Sequence, residues 1–230
     1  ALEWATKYHR PMMLVDDSHL YEREKNFAQG YTSALWMPEV CSIRNPRLGQ
    51  ALSASLRKHP DITLYENHDV EKFLLSGESV SGVRTAKGDI KAGQTVVCSG
   101  AWTGLLLAPL GIKLPVEPVK GQMMLFKAPV GLVNRVVLMG GRYVIPRNDG
   151  RVLVGSTLER EGFDKTVTDE AYHSLYQTAI QIIPALQECE VEHHWAGLRP
   201  GSPEGVPFIG KVPGYKGLSV NAGQYRNGLV

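Results

Sequence analysis

Asn148-Asp149-Gly150 stands between two β-rich runs, RYVIPR and RVLVG. A turn of this composition accepts the positive φ angles of a tight hairpin, so the two runs are expected to fold back on each other as antiparallel strands. Alternation of apolar and polar residues extends upstream through VEPVKGQMMLFKA and NRVVLMG. The stretch from Pro115 to Leu158 is therefore expected to form one antiparallel sheet. A helix follows it: Thr168-Asp169-Glu170 provides a cap, and Tyr172, Leu175, Tyr176, Ala179, Ile182 and Ile183 fall on one face before Pro184 stops the run.

The upstream half is organised differently. In RNPRLGQALSASLRKHP, Asn45 is a good N-cap, Pro46 sits in the first turn, and Leu48, Leu52 and Leu56 recur every four residues before Lys58, His59 and Pro60. This predicts a helix with one buried face. The segment from Asp61 to Trp102 breaks into short β-rich runs at SGES, AKGD and KAG. It reads as a strand over ITLY followed by a small antiparallel meander. Its last run, Thr95 to Cys98, is apolar without alternation and is expected to be a strand buried on both faces that stops at Ser99-Gly100. TGLLLAPLG then gives a short apolar helix or turn. Near the other end, a strand over roughly Glu190 to Ala196 leads into GLRPGSPEGVPFIG, and GLSVNAGQYRNGLV reads as a short strand turning into a Gly-bearing element. The first forty residues lack a clear period until GYTSALWMPEV, where a short strand is expected. There are no internal repeats and no low-complexity linker.

Several function classes are disfavoured. Twenty-five Lys and Arg against 23 Asp and Glu leave a formal charge of +2 without a run of like charges, so nucleic acid is not an expected partner. Apolar stretches are interrupted well short of the roughly 18 residues that span a bilayer. Cys41, Cys98 and Cys189 are far apart and form no CxxC pair, which suits a reducing, cytoplasmic setting better than a disulfide framework or a structural zinc site. His193 and His194 would face opposite ways in a strand and cannot chelate together. GxSxG, HExxH and Walker-type motifs are absent. With 43% apolar residues in 230, the chain can build one large domain or two interleaved smaller ones.

What remains is a pair of arginines. Arg199 lies in WAGLRPG and Arg226 in GQYRNG, and a guanidinium in an apolar, turn-rich context calls for an anionic partner. Each could be a structural arginine bonded to carbonyls at a turn. Alternatively both, with Tyr143 of RYVIPR, could surround one small carboxylate ligand. Spacing leaves both readings open.

Taken in order from about Arg44 to Val230, the motifs VVCSGAW, PVEPVKGQM, RYVIPRNDGRVLVGSTLE, HHWAGLRPGSPEGVPFIG and NAGQYRNGLV resemble the flavin-dependent D-amino-acid oxidase superfamily. Within it they are most similar to the glycine oxidases that serve thiamine biosynthesis, and YRNG separates them from sarcosine oxidases and amino-acid dehydrogenases. The resemblance implies a mixed α+β and α/β fold, with an FAD-binding domain interleaved with a substrate domain whose large antiparallel sheet is flanked by helices. It would place 1–40 and 114–196 in the substrate domain, and 41–113 and 197–230 in the FAD domain. No GxGxxG follows an N-terminal strand, so the chain is expected to be an internal piece lacking the nucleotide-binding motif.

By the same resemblance, Tyr143, Arg199 and Arg226 match the positions that hold the substrate. Val70 matches a residue at the adenine end of FAD, and Ser99 and Gly100 let the chain pass close to the cofactor. Gln224, Tyr225, Arg226, Asn227, Gly228, Leu229 and Val230 match the loop against the flavin ring. The implied reaction is oxidative deamination of a small amino acid, namely glycine, sarcosine or D-alanine. Hydride passes to the flavin, molecular oxygen is the acceptor, and imine and hydrogen peroxide result, without a catalytic acid, base or metal. Homo-oligomers are common in the superfamily. The alternatives are a related FAD-dependent dehydrogenase or sarcosine-type oxidase, or a non-catalytic carboxylate-binding fragment.

Overall fold

The structure, a computed structural model, describes residues 1–226, 228 and 229. Helix α1 (Leu2–Lys7), strand β1 (Met13–Asp16), helix α2 (Asp17–Arg23) and strand β2 (Ser33–Trp36) come first. Helix α3 (Asn45–Lys58) precedes β3 (Val70–Ser76), β4 (Ser79–Thr85), β5 (Gly88–Lys91), β6 (Thr95–Val97) and helix α4 (Thr103–Leu107). Strands β7 (Glu117–Lys127), β8 (Val137–Met139), β9 (Arg142–Pro146) and β10 (Arg151–Gly155) lead to helix α5 (Asp169–Ile182). Strands β11 (Glu190–Gly201), β12 (Phe208–Lys211) and β13 (Leu218–Ala222) follow. These elements sort into two units, each assembled from three separate stretches: Ala1–Leu48, Gly121–Thr157 and Thr166–Ala196 in the first, and Gly49–Lys120, Leu158–Lys165 and Gly197–Val230 in the second.

The first unit is built on the sheet expected from the hairpin signal, in the order β11-β7-β10-β9-β8. Strand β10 pairs antiparallel with β7 on one side, Val152 opposite Phe126, and with β9 on the other, Leu153 opposite Ile145. The turn between β9 and β10 needs its glycine: Gly150 has φ +85°, and a Cβ there would sit 2.5 Å from the Ala128 carbonyl oxygen. Thr168 caps α5 by accepting the Ala171 N–H at 3.3 Å. The stripe predicted for that helix is the one buried, with Leu175, Ala179, Ile182 and Ile183 fully covered and packed with Met124, Phe126, Val144, Val152 and Val154. Each buried leucine, isoleucine, valine, methionine or phenylalanine among them contributes on the order of 1.5–3 kcal/mol.

In the second unit β3, β4 and β5 form the expected antiparallel meander. A second small sheet has the order β12-β13-β6, with β12 and β13 antiparallel but β13 and β6 parallel. Phe73, Val80, Val97, Leu107, Val116, Leu218 and Val220 close its core.

Four expectations are corrected. The leucine stripe of α3 is not buried: Leu52 is 56% and Leu56 40% exposed, because periodicity specifies an apolar face but not what covers it. ITLY forms no strand, and Ile62, Leu64 and Tyr65 are exposed; β-favouring residues without a ladder partner remain loop. Strand β6 is buried on one face only, with Val97 inside and Val96 59% exposed, since successive side chains point to opposite faces and only one of these is covered. Strand β11 runs on to Gly201, so Arg199 stands in a strand rather than a turn. Elements α1, β1, α2 and β12 had no legible signal. Helix α2, held by Asp16 accepting the His19 N–H at 3.0 Å, buries no residue and so carries no apolar period. Among the described residues no helix is long and apolar enough to cross a membrane.

Candidate functional site

Parallel pairing of β6 with β13, Val97 beside Val220, sets the C-terminal ends of both strands side by side. Such ends are where α/β sheets gather ligand-binding loops, because the chain leaves both strands toward one crevice. Here an open cleft of about 370 Å³ is lined by Cys98, Gly100, Pro200, Gln224, Tyr225 and Gly228.

Its walls are fixed by hydrogen bonds local to the second unit. After β6, the Trp102 N–H donates to the Ser99 carbonyl at 3.0 Å and the Thr103 hydroxyl to the Gly100 carbonyl at 2.8 Å, turning the chain sharply into α4. Gly100 has φ +55°, and no atom lies within 4 Å of where its Cβ would be. The peptide surface there is bare. After β13, Gly223 (φ +81°) bends the chain, its carbonyl accepting from Ser202 Oγ at 2.7 Å. The Tyr225 N–H donates to the Pro200 carbonyl at 3.1 Å, and the Gln224 side chain bonds that of Asn221. The loop after β13 is thereby strapped to the end of β11.

Of the sequence-predicted residues, Ser99, Gly100, Gln224, Tyr225 and Gly228 thus belong to one place. Arg226 and Leu229 are exposed on the same loop, and Arg199 is half-buried in β11, one residue before Pro200. Val70 does not line the cleft; it opens β3, opposite Thr85. Asn227 and Val230 lie outside the described residues. Tyr143 belongs to the first unit, in β9 opposite Gly155 of β10, its hydroxyl 4.0 Å from Met123 Sδ. A Cβ on Gly155 would come within 2.7 Å of that hydroxyl, so the tyrosine ring occupies the space a side chain would need.

The cleft's donor set fits a flat, polar ring system better than a metal or a hydrolytic centre. Glycine backbone on two sides allows close approach of a planar group, and none of the lining residues is a carboxylate or an imidazole.

One buried charge was not anticipated. Lys120 of β7 is fully buried, 3.0 Å from Glu159 and in contact with Glu161, and the Glu161 carboxylate holds its ammonium above the usual lysine range. Reciprocal backbone bonds of 2.9 Å join Lys120 to Glu159, and Phe163 of the same segment meets Trp102 at 5.6 Å between ring centroids. Segment Leu158–Lys165 is thus fastened both to β7 and to the turn after β6. The available signal was a lone lysine within the apolar run PVKGQMMLF and two glutamates at alternate positions in LEREG.

Comparison with known proteins gives a consistent picture. A family profile described as FAD dependent oxidoreductase matches residues 1–230. A glycine oxidase of Pseudomonas aeruginosa is 49% identical over 230 residues, covering all of this chain and 63% of that protein. The crystal structure of a glycine oxidase from Bacillus cereus superposes with a TM-score of 0.92 at 29% identity, over 99% of this chain and 62% of that one. An L-proline dehydrogenase from P. horikoshii superposes at 0.89 and 26% identity, over 99% and 63%. The chain therefore spans less than two thirds of the length of the relatives it matches.

Proposed function

Because the chain belongs to the family of FAD-dependent oxidoreductases, we propose that the protein containing it oxidises a small amino acid, glycine first, to the imine. The observation that carries this reading is the 49% identity to a glycine oxidase over all 230 residues. The motifs of the clamp and of the flavin-facing loop add to it. Segments 41–113 and 197–230 would carry FAD, and 1–40 and 114–196 the substrate.

Arg199 grips the substrate carboxylate with two parallel N–H bonds, and Arg226 and the Tyr143 hydroxyl add further donors. Fixing the carboxylate restricts the substrate to poses that aim its Cα–H bond, so the contribution of these residues is orientation. FAD, when bound, supplies acceptance of that hydride and return of two electrons to molecular oxygen as hydrogen peroxide. Ser99, Gly100 and the loop from Gln224 to Val230 would hold the flavin ring, Gly100 by leaving its peptide bare and the loop by offering backbone N–H groups. Val70 would meet the adenine end. No residue need act as acid or base, since an unprotonated amine loses hydride directly and the imine hydrolyses in water or passes to a thiazole-forming partner. Three free cysteines suit a cytoplasmic setting, and assembly into a homo-oligomer is part of the proposal.

Likeness to a proline dehydrogenase supports a second reading, in which electrons leave to an acceptor other than oxygen. The test is the visible spectrum of the full-length protein before and after anaerobic glycine, followed by oxygen uptake against dye reduction on glycine, sarcosine and D-alanine. A yellow protein bleached by glycine and reoxidised by oxygen is expected. Dye reduction without oxygen uptake would select the dehydrogenase, and a colourless protein would overturn both.

Gly155→Ala tests Tyr143 separately. The added methyl must displace the tyrosine ring; a hydrogen bond from its hydroxyl to the charged substrate carboxylate is worth about 1.5–3 kcal/mol, and a displaced ring gives up part of it. The expected result is a KM for glycine raised about three- to tenfold with the flavin spectrum unchanged. An unaltered KM would remove Tyr143 from the site.

A further inference from the structure

The first unit carries a separate opening of about 480 Å³, lined by Glu22, Arg23, Lys25, Gly131, Asn134 and Arg135. Three of these six residues are cations. Arg23, in the last turn of α2, lays its guanidinium over the Trp36 ring at 4.5 Å from the centroid, and the guanidinium of Arg135 approaches the same ring at 5.8 Å. Two like charges are therefore gathered around one indole, which restricts both side chains before any ligand arrives. Arg23 Nε is buried and has no hydrogen-bond partner among the described residues. Among the described residues, none of Arg23, Lys25 and Arg135 forms an ion pair.

Of the two carboxylates nearby, Glu24 is spent on the wall, its Oε1 buried and without a hydrogen-bond partner among the described residues. Glu24 is fully buried and directs Oε2 to the backbone, accepting the N–H groups of Asn134 at 2.6 Å and Arg135 at 2.9 Å. It thus builds the wall that carries Arg135. Glu22 is exposed to water at the rim. The Asn134 amide donates once, to the Gly131 carbonyl at 3.2 Å, and the charged donors lining the opening belong to the three cations.

We infer that this opening is a binding site for a phosphate group, taken either as inorganic phosphate or as the head of a small phosphomonoester. A tetrahedral oxyanion presents acceptors on several sides at once, as donors converging from α2, from Lys25 and from the 131–135 turn require. The volume exceeds what one phosphate fills and leaves room for a small organic substituent. A guanidinium already held by an aromatic face loses little freedom on binding.

The test is calorimetric titration of the full-length, flavin-loaded protein with inorganic phosphate at constant ionic strength, with ribose 5-phosphate as the second ligand. Saturable binding is expected, weakened at least tenfold in the Arg23→Gln/Arg135→Gln double variant and unchanged in Arg199→Ala. Tighter binding of the sugar phosphate would identify a phosphomonoester, and equal binding free phosphate. Absence of saturable binding, or undiminished binding by the double variant, would overturn the inference. So would loss of binding in Arg199→Ala, which would place the anion at the proposed carboxylate clamp instead. Should the double variant fail to fold, Lys25→Gln/Arg135→Gln, both at exposed positions, carries the same expectation.

Discussion

Replacing Arg199 by alanine in the full-length, flavin-loaded protein is expected to raise the KM for glycine by about ten- to 150-fold. The magnitude follows from what a charge-assisted hydrogen bond contributes, about 1.5–3 kcal/mol, at about 1.4 kcal/mol for each factor of ten. Arg199 is half-buried in β11, where an arginine serves a carboxylate better than one free in solvent, because less water competes for it. Two controls separate recognition from structure. The visible spectrum of bound flavin should not change, since the cleft is walled by backbone and by Gln224 and Tyr225 rather than by this guanidinium. Arg199→Lys should recover only part of the effect, because an ammonium cannot make the paired, planar contact. An unchanged KM in a yellow variant would show that Arg199 is held for structure alone.

The second large effect is expected at Lys120. Alanine there removes a fully buried side chain together with its bonds to Glu159 and Glu161. Breaking a buried ion pair costs about 3–5 kcal/mol when the survivor stays buried. Here Glu159 is 21% and Glu161 49% exposed, so both reach water once the lysine is gone. A loss of about 2–3 kcal/mol in a urea melt is therefore the expected outcome. Lys120→Met, which fills the same space without a charge, should recover at least half of it. If Lys120→Ala costs less than about 0.5 kcal/mol, the fastening of segment Leu158–Lys165 lies elsewhere, in its backbone bonds and the Phe163–Trp102 contact.

How much of this was legible differs from element to element. The hairpin at Asn148-Asp149-Gly150 and the stripe of α5 were readable because local chemistry and tertiary packing demand the same residues there. In α3 the two part company: Leu52 and Leu56 were rightly read as one apolar face and wrongly as buried, since coverage is decided by residues distant in sequence. ITLY failed for the same reason, as a strand exists only with a partner. The cleft was half legible. Ser99-Gly100 reads as a strand ending at a turn, but only the parallel register of β6 with β13 brings it beside Gln224 and Tyr225. The roles proposed for Arg199, Arg226 and Tyr143 rest on the ordered motifs and not on spacing. Lys120 was passed over because a lysine in an alternating strand reads as a solvent-facing residue.

The alternation of stretches between the two units bears on how the chain is made. The first unit needs residues as late as Ala196, and the second begins at Gly49 yet is completed by strand β13. During synthesis neither can close around the nascent chain until most of it has emerged. Glu24 shows what waiting entails, for its carboxylate finds the N–H groups of Asn134 and Arg135 only after some 110 further residues are made. At about 5–20 residues per second, that leaves the early segment without its partners for roughly 5–20 seconds on the ribosome. A chain interleaved in this way completes neither unit until its late strands are made.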